Sequence, residues 1–394
     1  MNRLKQISAH LTGFNFKMSD DASHVPLLSK EEESIFFGHD TVNRLSFLRE
    51  DSEFIKQAIT HKQSKIVILV NDAPLGYTSS HQLYYSGYDE LRDTIDDWIV
   101  LNRDEDIKVN DIRITFLGID EKVTLDEIEF KYGEHYRGIP YFGFDISNNA
   151  DLQATFINSE IKPFSDRKEI MKMSNFDSSI FSHAKMYLDW INRNLFCAGC
   201  GSRDIVIHAG TKLKCSSLDK HIVNKTEVFK CPVKSARVSN VSFPRTDSVI
   251  ITAITNKSFD KILLGRGKRF PLPTYSCIAG FIEPSETIEV ASAREIWEET
   301  GARASKIQIL KSQPWPYPAN LMIGCVAFVD FNGKNEVINL GHDPELLDAQ
   351  WFEITEIKKK LAGDTEGWQL PPKTAIAHSL IEYVVQKYDN LNQK

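Results

Sequence analysis

The sequence lacks any apolar run long enough to cross a bilayer. Its longest, such as Val249–Ile251 and Ile323–Val329, fall well short of the ~20 residues that a helical span needs, which excludes a membrane protein. Glycine and proline are scarce, 20 and 15 of 394 residues, so the chain is neither collagenous nor of low complexity. Six cysteines are too few for a secreted disulfide scaffold. Basic residues are outnumbered, 47 against 54 acids. The resulting net charge of −7 argues against a protein whose main task is coating nucleic acid. What remains is ordinary globular composition, with a length that allows two or three domains, each large enough for its own core.

Acids are missing altogether from the first 17 residues, which carry Arg3, Lys5 and Lys17. Leu4, Ile7, Leu11 and Phe14 recur there at helical spacing, so the stretch reads as a mitochondrial presequence or as an irregular extension with Met18 as an alternative start. There is no secretory apolar segment, and Asn392-Gln393-Lys394 is not a peroxisomal tripeptide. A cytoplasmic location is expected, with peroxisome and mitochondrion as alternatives.

The organisation reads as a polar extension over 1–37, an α/β scaffold or dimer-forming domain over 38–195, a cysteine block over 196–240, and a second α/β domain over 241–394. Lys65–Val70, Asp111–Leu117 and Pro140–Ile146 are strand-like. Residues 161–195 read as helical, and a final helix is expected over about Thr374–Lys387. The fold class is α+β.

Four of the six cysteines fall within 35 residues. Cys197 and Cys200 form a Cys-x-x-Cys pair followed by Gly201, and Cys215 and Cys231 follow at hairpin distance. Such a set suits a closed, structural Zn2+ site, which selects sulfur and leaves no position for water. A set in which His221 replaces one cysteine, or four unrelated core cysteines, are the other readings. Cys277 and Cys325 lie in apolar stretches and read as small core residues. Between Arg193 and Arg237 nine basic residues face three acids, so this stretch is +6 and the rest −13. That patch attracts a phosphate-bearing ligand or merely solubilises a tiny module.

The strongest signal is a carboxylate-rich helix. Pro284-Ser285 offers its start, with Ser285 as cap and Glu286 in the first turn, and Gly301 its stop. Val290, Ala293, Ile296 and Trp297 fall on one face, expected against a sheet, with Glu295, Glu298 and Glu299 on the opposite arc. Three like charges within one turn repel unless a cation neutralises them, and oxygen ligands favour Mg2+ or Mn2+. Eleven residues after Gly301, three prolines in five residues make Ser312–Met322 a rigid extended loop, with Trp315 and Tyr317 offering flat faces to a base.

From Gly280 to Ala302 the residues fit Gly-x5-Glu-x7-Arg-Glu-U-x-Glu-Glu-x-Gly-U (U aliphatic), and the chain resembles the Nudix hydrolases. Ser312-Gln313-Pro314-Trp315-Pro316-Tyr317-Pro318-Ala319-Asn320 resembles the Ser-Gln-Pro-Trp-Pro-Phe-Pro-x-Ser array of the NADH pyrophosphatase branch, especially its fungal members, and the four cysteines fit that branch too. Tyr317 stands where Phe is usual and Asn320 where Ser is usual. The resemblance covers about residues 38–390. It implies an N-terminal α/β domain, a zinc ribbon and a C-terminal Nudix α/β/α sandwich.

By that resemblance Glu295, Glu298, Glu299 and Glu345 hold the catalytic Mg2+ or Mn2+, with Asp348 as competitor for the last role. Arg294 and Glu286 brace the box, and structural zinc sits on Cys197, Cys200, Cys215 and Cys231. The stretch Gln313–Asn320, which is Gln313, Pro314, Trp315, Pro316, Tyr317, Pro318, Ala319 and Asn320, would cup a dinucleotide. Phe281 and Phe243 would sandwich a base, the latter across a homodimer, and Ala377 would touch substrate through its backbone. The implied reaction is hydrolysis of NADH to reduced nicotinamide mononucleotide and AMP, with NAD+, ADP-ribose-like and diadenosine compounds as minor substrates. One alternative is removal of NAD caps from RNA 5′ ends. The other, a non-enzymatic zinc-ribbon adaptor, is disfavoured by the intact glutamates.

Overall fold

The computed structural model describes residues 35–101, 111–123, 129–133, 135–217, 221–223, 227–229, 231–235, 241–268 and 273–392. The presequence and extension readings for residues 1–34 lie outside them.

The first unit is built on a seven-stranded sheet. Its strands are β1 (Lys65–Val70), β2 (Ala73–Tyr77), β3 (Tyr85–Ser86), β4 (Arg113–Asp120), β5 (Phe130–Tyr132), β6 (Tyr136–Asp145) and β7 (Ile161–Pro163), in the order β4-β6-β1-β2-β7. β1 and β6 run parallel, and the remaining pairs are antiparallel. The unbroken apolar run of β1 follows from burial on both faces. One face packs on α1 (Ser52–Ile59) and α2 (Arg92–Leu101) through Phe54, Ile95 and Trp98. The other is crossed by α5 (Asn175–Arg193) through Ile180, Phe181, Ala184 and Leu188. Gly143 permits this approach, because a Cβ there would stand 2.8 Å from that of Ala184.

Residues 161–195 are not one helix, contrary to the sequence expectation. Pro163 sits in β7 at the sheet edge, where its missing N–H does no harm. α3 (Ala150–Phe156) precedes it, and α4 (Arg167–Ile170) and α5 follow, capped by Asp166 and Ser174, whose side chains accept from Lys168 N and Asp177 N.

A small unit follows, with hairpins β8 (Asp204–Ile207)–β9 (Lys212–Cys215) and β10 (His221–Val223)–β11 (Glu227–Phe229), then the short α6 (Pro232–Ser235). The last unit is a six-stranded sheet in the order β15-β16-β12-β13-β17, with β14 on β12. Here β12 is Asp247–Thr255, β13 Lys261–Gly267, β14 Ile278–Phe281, β15 Ala304–Trp315, β16 Asn320–Val329 and β17 Leu346–Glu353. α7 (Ile288–Thr300) covers one face through Ile296. α8 (Ile354–Leu361) and α9 (Ile376–Asn392) cover the other through Ile357, Leu380 and Val384. The architecture is mixed α/β. Cys277 and Cys325 are buried in this unit.

The proline-rich stretch is a hairpin rather than a free extended loop. β15 continues through Pro314 and Trp315, paired with Leu321 and Asn320. This is possible because β15 lies at the sheet edge, where proline needs no donor on its outer side.

Candidate active site

The loop before α7 turns through Ser285 at φ 71°, so Ser285 does not cap the helix. Thr287 does, its hydroxyl accepting from Val290 N at 3.2 Å. Glu286 therefore lies ahead of the first turn and not within it. Gly301 ends the helix at φ 74°, its N–H donating to Trp297 O, as its position in the sequence suggested.

The buried face is not the one apolarity selects. Val290 and Trp297 are 55% and 39% exposed, while Ala291, Ser292, Ile296, Glu299 and Thr300 are buried. Small Ala291 and Ser292 let the helix sit close to the sheet on that side. Trp297 instead stacks on His342, with ring centroids 4.4 Å apart. The rotation carries Glu299 inward, where it is 6% exposed.

Arg294 organises the acids. Its Nε and Nη2 donate to the two oxygens of Glu286 at 2.7 and 2.8 Å, and Nη1 donates to Glu295 at 2.8 Å and Glu298 at 2.9 Å. Nη2 also donates to the Phe281 carbonyl at 2.9 Å, tying α7 to β14. The Arg294 hydrogen bonds hold the Glu286 carboxyl down at about 2, and the same contacts raise the arginine pKa.

Gly280 explains the first residue of the motif. A Cβ there would lie 1.9 Å from the Glu295 carboxyl carbon. Gly280→Ala should force Glu295 off Arg294 and destabilise the protein by ~1–3 kcal/mol. Thermal unfolding of the variant checks this, and an unchanged midpoint would contradict it.

Burial, then the charges of Glu295, Glu345, Asp343 and Glu298, pushes Glu299 up to about 8. Burial raises Glu295 as well, against the pull of Arg294. Clustered oxygen donors with too little positive charge, Glu299 buried among them, fit a hard divalent cation, and Glu295, Glu298, Glu299 and Glu345 are the residues that could hold one. Because the folded chain favours protonated Glu299, the metal-free protein should lose stability as pH rises from about 4.5 toward about 8. Glu299→Gln should remove that part of the slope, and Mg2+ should reverse it in the wild type. Unfolding midpoints across that window, with chelator and with Mg2+, test the sign.

Glu345 is exposed in the loop before β17, close enough to act on both buried glutamates. Asp343 is a neighbour that sequence reasoning passed over, although it stands beside Glu345 in Asp343-Pro344-Glu345. Its N–H donates to Glu298 O at 3.1 Å, pinning the loop to α7. The competitor Asp348 is engaged elsewhere, accepting from Tyr275 Oη and from Gln350 Nε2.

Among the expected substrate contacts, Phe281 is 58% exposed and meets the acid network through its carbonyl. Gln313 is buried; its Nε2 donates to Phe36 O at 3.0 Å and Thr374 O at 2.8 Å, and its Oε1 accepts from Ile376 N. Pro314 packs on Gly38, and Trp315 and Tyr317 meet Phe37 edge-on at 5.6 and 6.1 Å. The Arg167 guanidinium lies 4.1 Å over the Tyr317 ring. Tyr317 Oη and Asn320 Oδ1 are buried without a hydrogen-bond partner. Pro316, Pro318 and Ala319 form the turn, and Ala319 O accepts from Asp247 N. Phe243 is 47% exposed under Lys212, and the buried Ala377 accepts from the Cys277 thiol.

The other candidate centre is the sulfur group. The Sγ atoms of Cys197, Cys200, Cys215 and Cys231 all lie within 4.8 Å of one another, so they are not unrelated core cysteines. Cys197 and Cys231 are 3.7 Å apart and Cys200 and Cys215 3.4 Å, close to the ~3.8 Å spacing of sulfurs around one Zn2+ at ~2.3 Å. Gly201 takes φ 72°, the left-handed turn expected after the pair. Its N–H donates to Cys197 O at 2.8 Å. Among the described residues this is the one group of ligand atoms gathered so closely; the carboxylates are spread over Arg294. The His221 side chain lies outside the described residues.

Residues 244–371 match the family model for the NUDIX domain. The NAD-capped RNA hydrolase of Saccharomyces cerevisiae is 40% identical over 390 residues, spanning 91% of this chain and 97% of that protein. The chain belongs to the Nudix hydrolases. This Nudix hydrolase is also 33% identical over 371 residues to the NAD-capped RNA hydrolase of Schizosaccharomyces pombe, which covers 89% of this chain and 92% of that protein. With the human NAD-capped RNA hydrolase it shares 35% identity over 223 residues, 56% of this chain and 45% of that one. It is an enzyme of that family. No helix among the described residues is long and apolar enough to cross a membrane.

Proposed function

We propose that this Nudix hydrolase removes NAD caps from RNA 5′ ends and cleaves free NADH, NAD+ and related dinucleotides by the same chemistry. Water forms a new bond to one phosphorus of the diphosphate, and the bridging P–O bond breaks. The products are nicotinamide mononucleotide and either 5′-monophosphate RNA or AMP. Of these, NADH was the substrate expected from the proline-rich array. The observation that carries the capped-RNA reading is the match of two fungal NAD-capped RNA hydrolases to nine-tenths of the chain.

Glu295, Glu298, Glu299 and Glu345 would hold Mg2+ or Mn2+, which when bound neutralises diphosphate charge and acidifies a water. Glu298 is the least buried of the three helix acids, and among the described residues its carboxylate bonds to Arg294 alone, so it would be placed to accept a proton from the attacking water. Arg294 keeps the acids apart and oriented. Cys197, Cys200, Cys215 and Cys231 would hold structural Zn2+, making 196–240 a zinc ribbon between a 38–195 domain and a 241–394 Nudix domain. Phe243 has no described contact with the acid network, so a base-stacking role would serve a second copy in a homodimer.

The test is NAD-capped RNA incubated with Mg2+ or Mn2+ at physiological salt. Release of nicotinamide mononucleotide and a 5′-monophosphate end is expected. Absence of both, with NADH still cleaved, would remove the capped-RNA reading and leave the dinucleotide one.

A further inference from the structure

Between the N-terminal sheet and the start of β12 lies a cleft of about 470 Å³, walled by residues 37–42, Arg44, one face of α5, Pro244–Thr246, and Pro314 and Leu321 of the proline-rich hairpin. None of its lining residues belongs to the carboxylate network around Arg294. Its wall carries arginines that form no ion pair with a carboxylate among the described residues. Arg44 and Arg245 line it, and Arg49 lies behind Tyr187, donating to Tyr187 Oη at 3.2 Å. Arg49 is 9% exposed, and its Nε and Nη2 are buried with no hydrogen-bond partner among the described residues. Arg44 is accessible from the cleft, yet the protein around its guanidinium lowers its pKa, and Arg49 adds to the effect.

Asp40 and Tyr187 offset only part of this charge, and the Arg44 pKa stays lowered. Arg44 Nη1 stands 3.0 Å from His183 Nε2, and burial together with Arg44 and Arg49 holds His183 well below the usual histidine range, hence neutral. Asp40, the one acid on the described cleft wall, pairs with Lys122 at 3.3 Å. None of the three arginines forms an ion pair with a carboxylate among the described residues. Like charges packed in a partly desolvated wall are costly unless an anion answers them. A guanidinium fork matches the paired oxygens of carboxylate and phosphate, and phosphate is the one that every nucleotide carries.

We propose that this cleft is a phosphate-binding site, with Arg44 and Arg245 gripping the oxygens and Arg49 supplying buried charge behind them. The ligand is a phosphomonoester of a free nucleotide or a phosphodiester of an RNA chain. Only the second source rests on the capped-RNA reading.

Arginine-specific labelling with phenylglyoxal, mapped by mass spectrometry on the intact chain, tests it. The exposed Arg92 on α2, paired with Asp89, serves as control. Probes are inorganic phosphate, AMP and a short oligoribonucleotide with a 5′-hydroxyl. Labelling at Arg44 and Arg245 should fall several-fold while Arg92 is unchanged. Protection by the oligoribonucleotide supports the site and assigns it to the RNA backbone. Protection by phosphate or AMP alone supports the site and assigns it to free nucleotides. Equal labelling with all three overturns the proposal. The readout needs no turnover, so it stands even where capped RNA proves not to be cleaved.

Discussion

Glu298→Gln should lower diphosphate hydrolysis by ~10²–10⁴-fold, the range for removing a general base, with little change in the unfolding midpoint. The two halves of that result come from the same geometry. Glu298 is partly exposed, and its described side-chain contact is one hydrogen bond to Arg294, which keeps four others. Surface ion pairs of this kind contribute ~0–1 kcal/mol, so the fold should hardly register the loss. The chemistry should register it fully, because Gln neither accepts a proton nor supplies charge to a divalent cation. Glu286→Gln makes the useful contrast. It removes the acid that Arg294 grips with two nitrogens, so it should loosen the loop before α7 and act through the position of Glu295. Undiminished hydrolysis by Glu298→Gln would remove Glu298 from the catalytic group.

The second large effect is expected at the cysteines. Cys215→Ser, or a strong chelator, should release one zinc per chain and unfold the 196–240 module, leaving the Nudix sheet folded. The reason is how small the described core is: the buried cluster is Cys197, Cys215 and Cys231, with Cys200 and Val233 packed on it, while Leu213 is buried and Val206 and Ala209 lean on the N-terminal core. Two short hairpins cannot fold on so little apolar area. Zinc binding supplies ~10–16 kcal/mol in small zinc-finger peptides, far more than four thiols and a valine. Metal content by mass spectrometry and protease cutting within the module give the two readouts. Wild-type protein without zinc that resists protease equally would contradict a structural metal.

Most of the site was legible because it is local. Glycine at 301, the arginine at 294 and the glutamates lie on one helix, whose spacing alone brings Arg294 to Glu295 and Glu298. The Cys-x-x-Cys-Gly turn was legible for the same reason. What failed was what depends on the sheet beneath. Apolarity placed Val290 and Trp297 inward, but shape decides the helix face: Ala291 and Ser292 fit against the sheet, and Glu299 goes inward with them. Ser285 looked like a cap until the turn before it took positive φ. The proline array looked like a loop because its edge position, which tolerates Pro314, is a property of strand order and not of composition. The role of Gly280 was invisible without the Glu295 carboxyl resting against it. Arg44 and Arg49 lie close in sequence but far from Arg245, and only the fold brings Arg44 and Arg245 onto one cleft wall.

The central claim is that this acid cluster directs water onto a diphosphate bond within a nicotinamide dinucleotide. The most direct measurement is turnover of NADH and of NAD-capped RNA in ¹⁸O-labelled water with Mg2+ or Mn2+, products separated by chromatography and weighed by mass spectrometry. The account predicts nicotinamide mononucleotide together with AMP or 5′-monophosphate RNA, one ¹⁸O on a single phosphate, and loss of all product with chelator. Failure of both substrates to yield a mononucleotide, with the metal present, would contradict it.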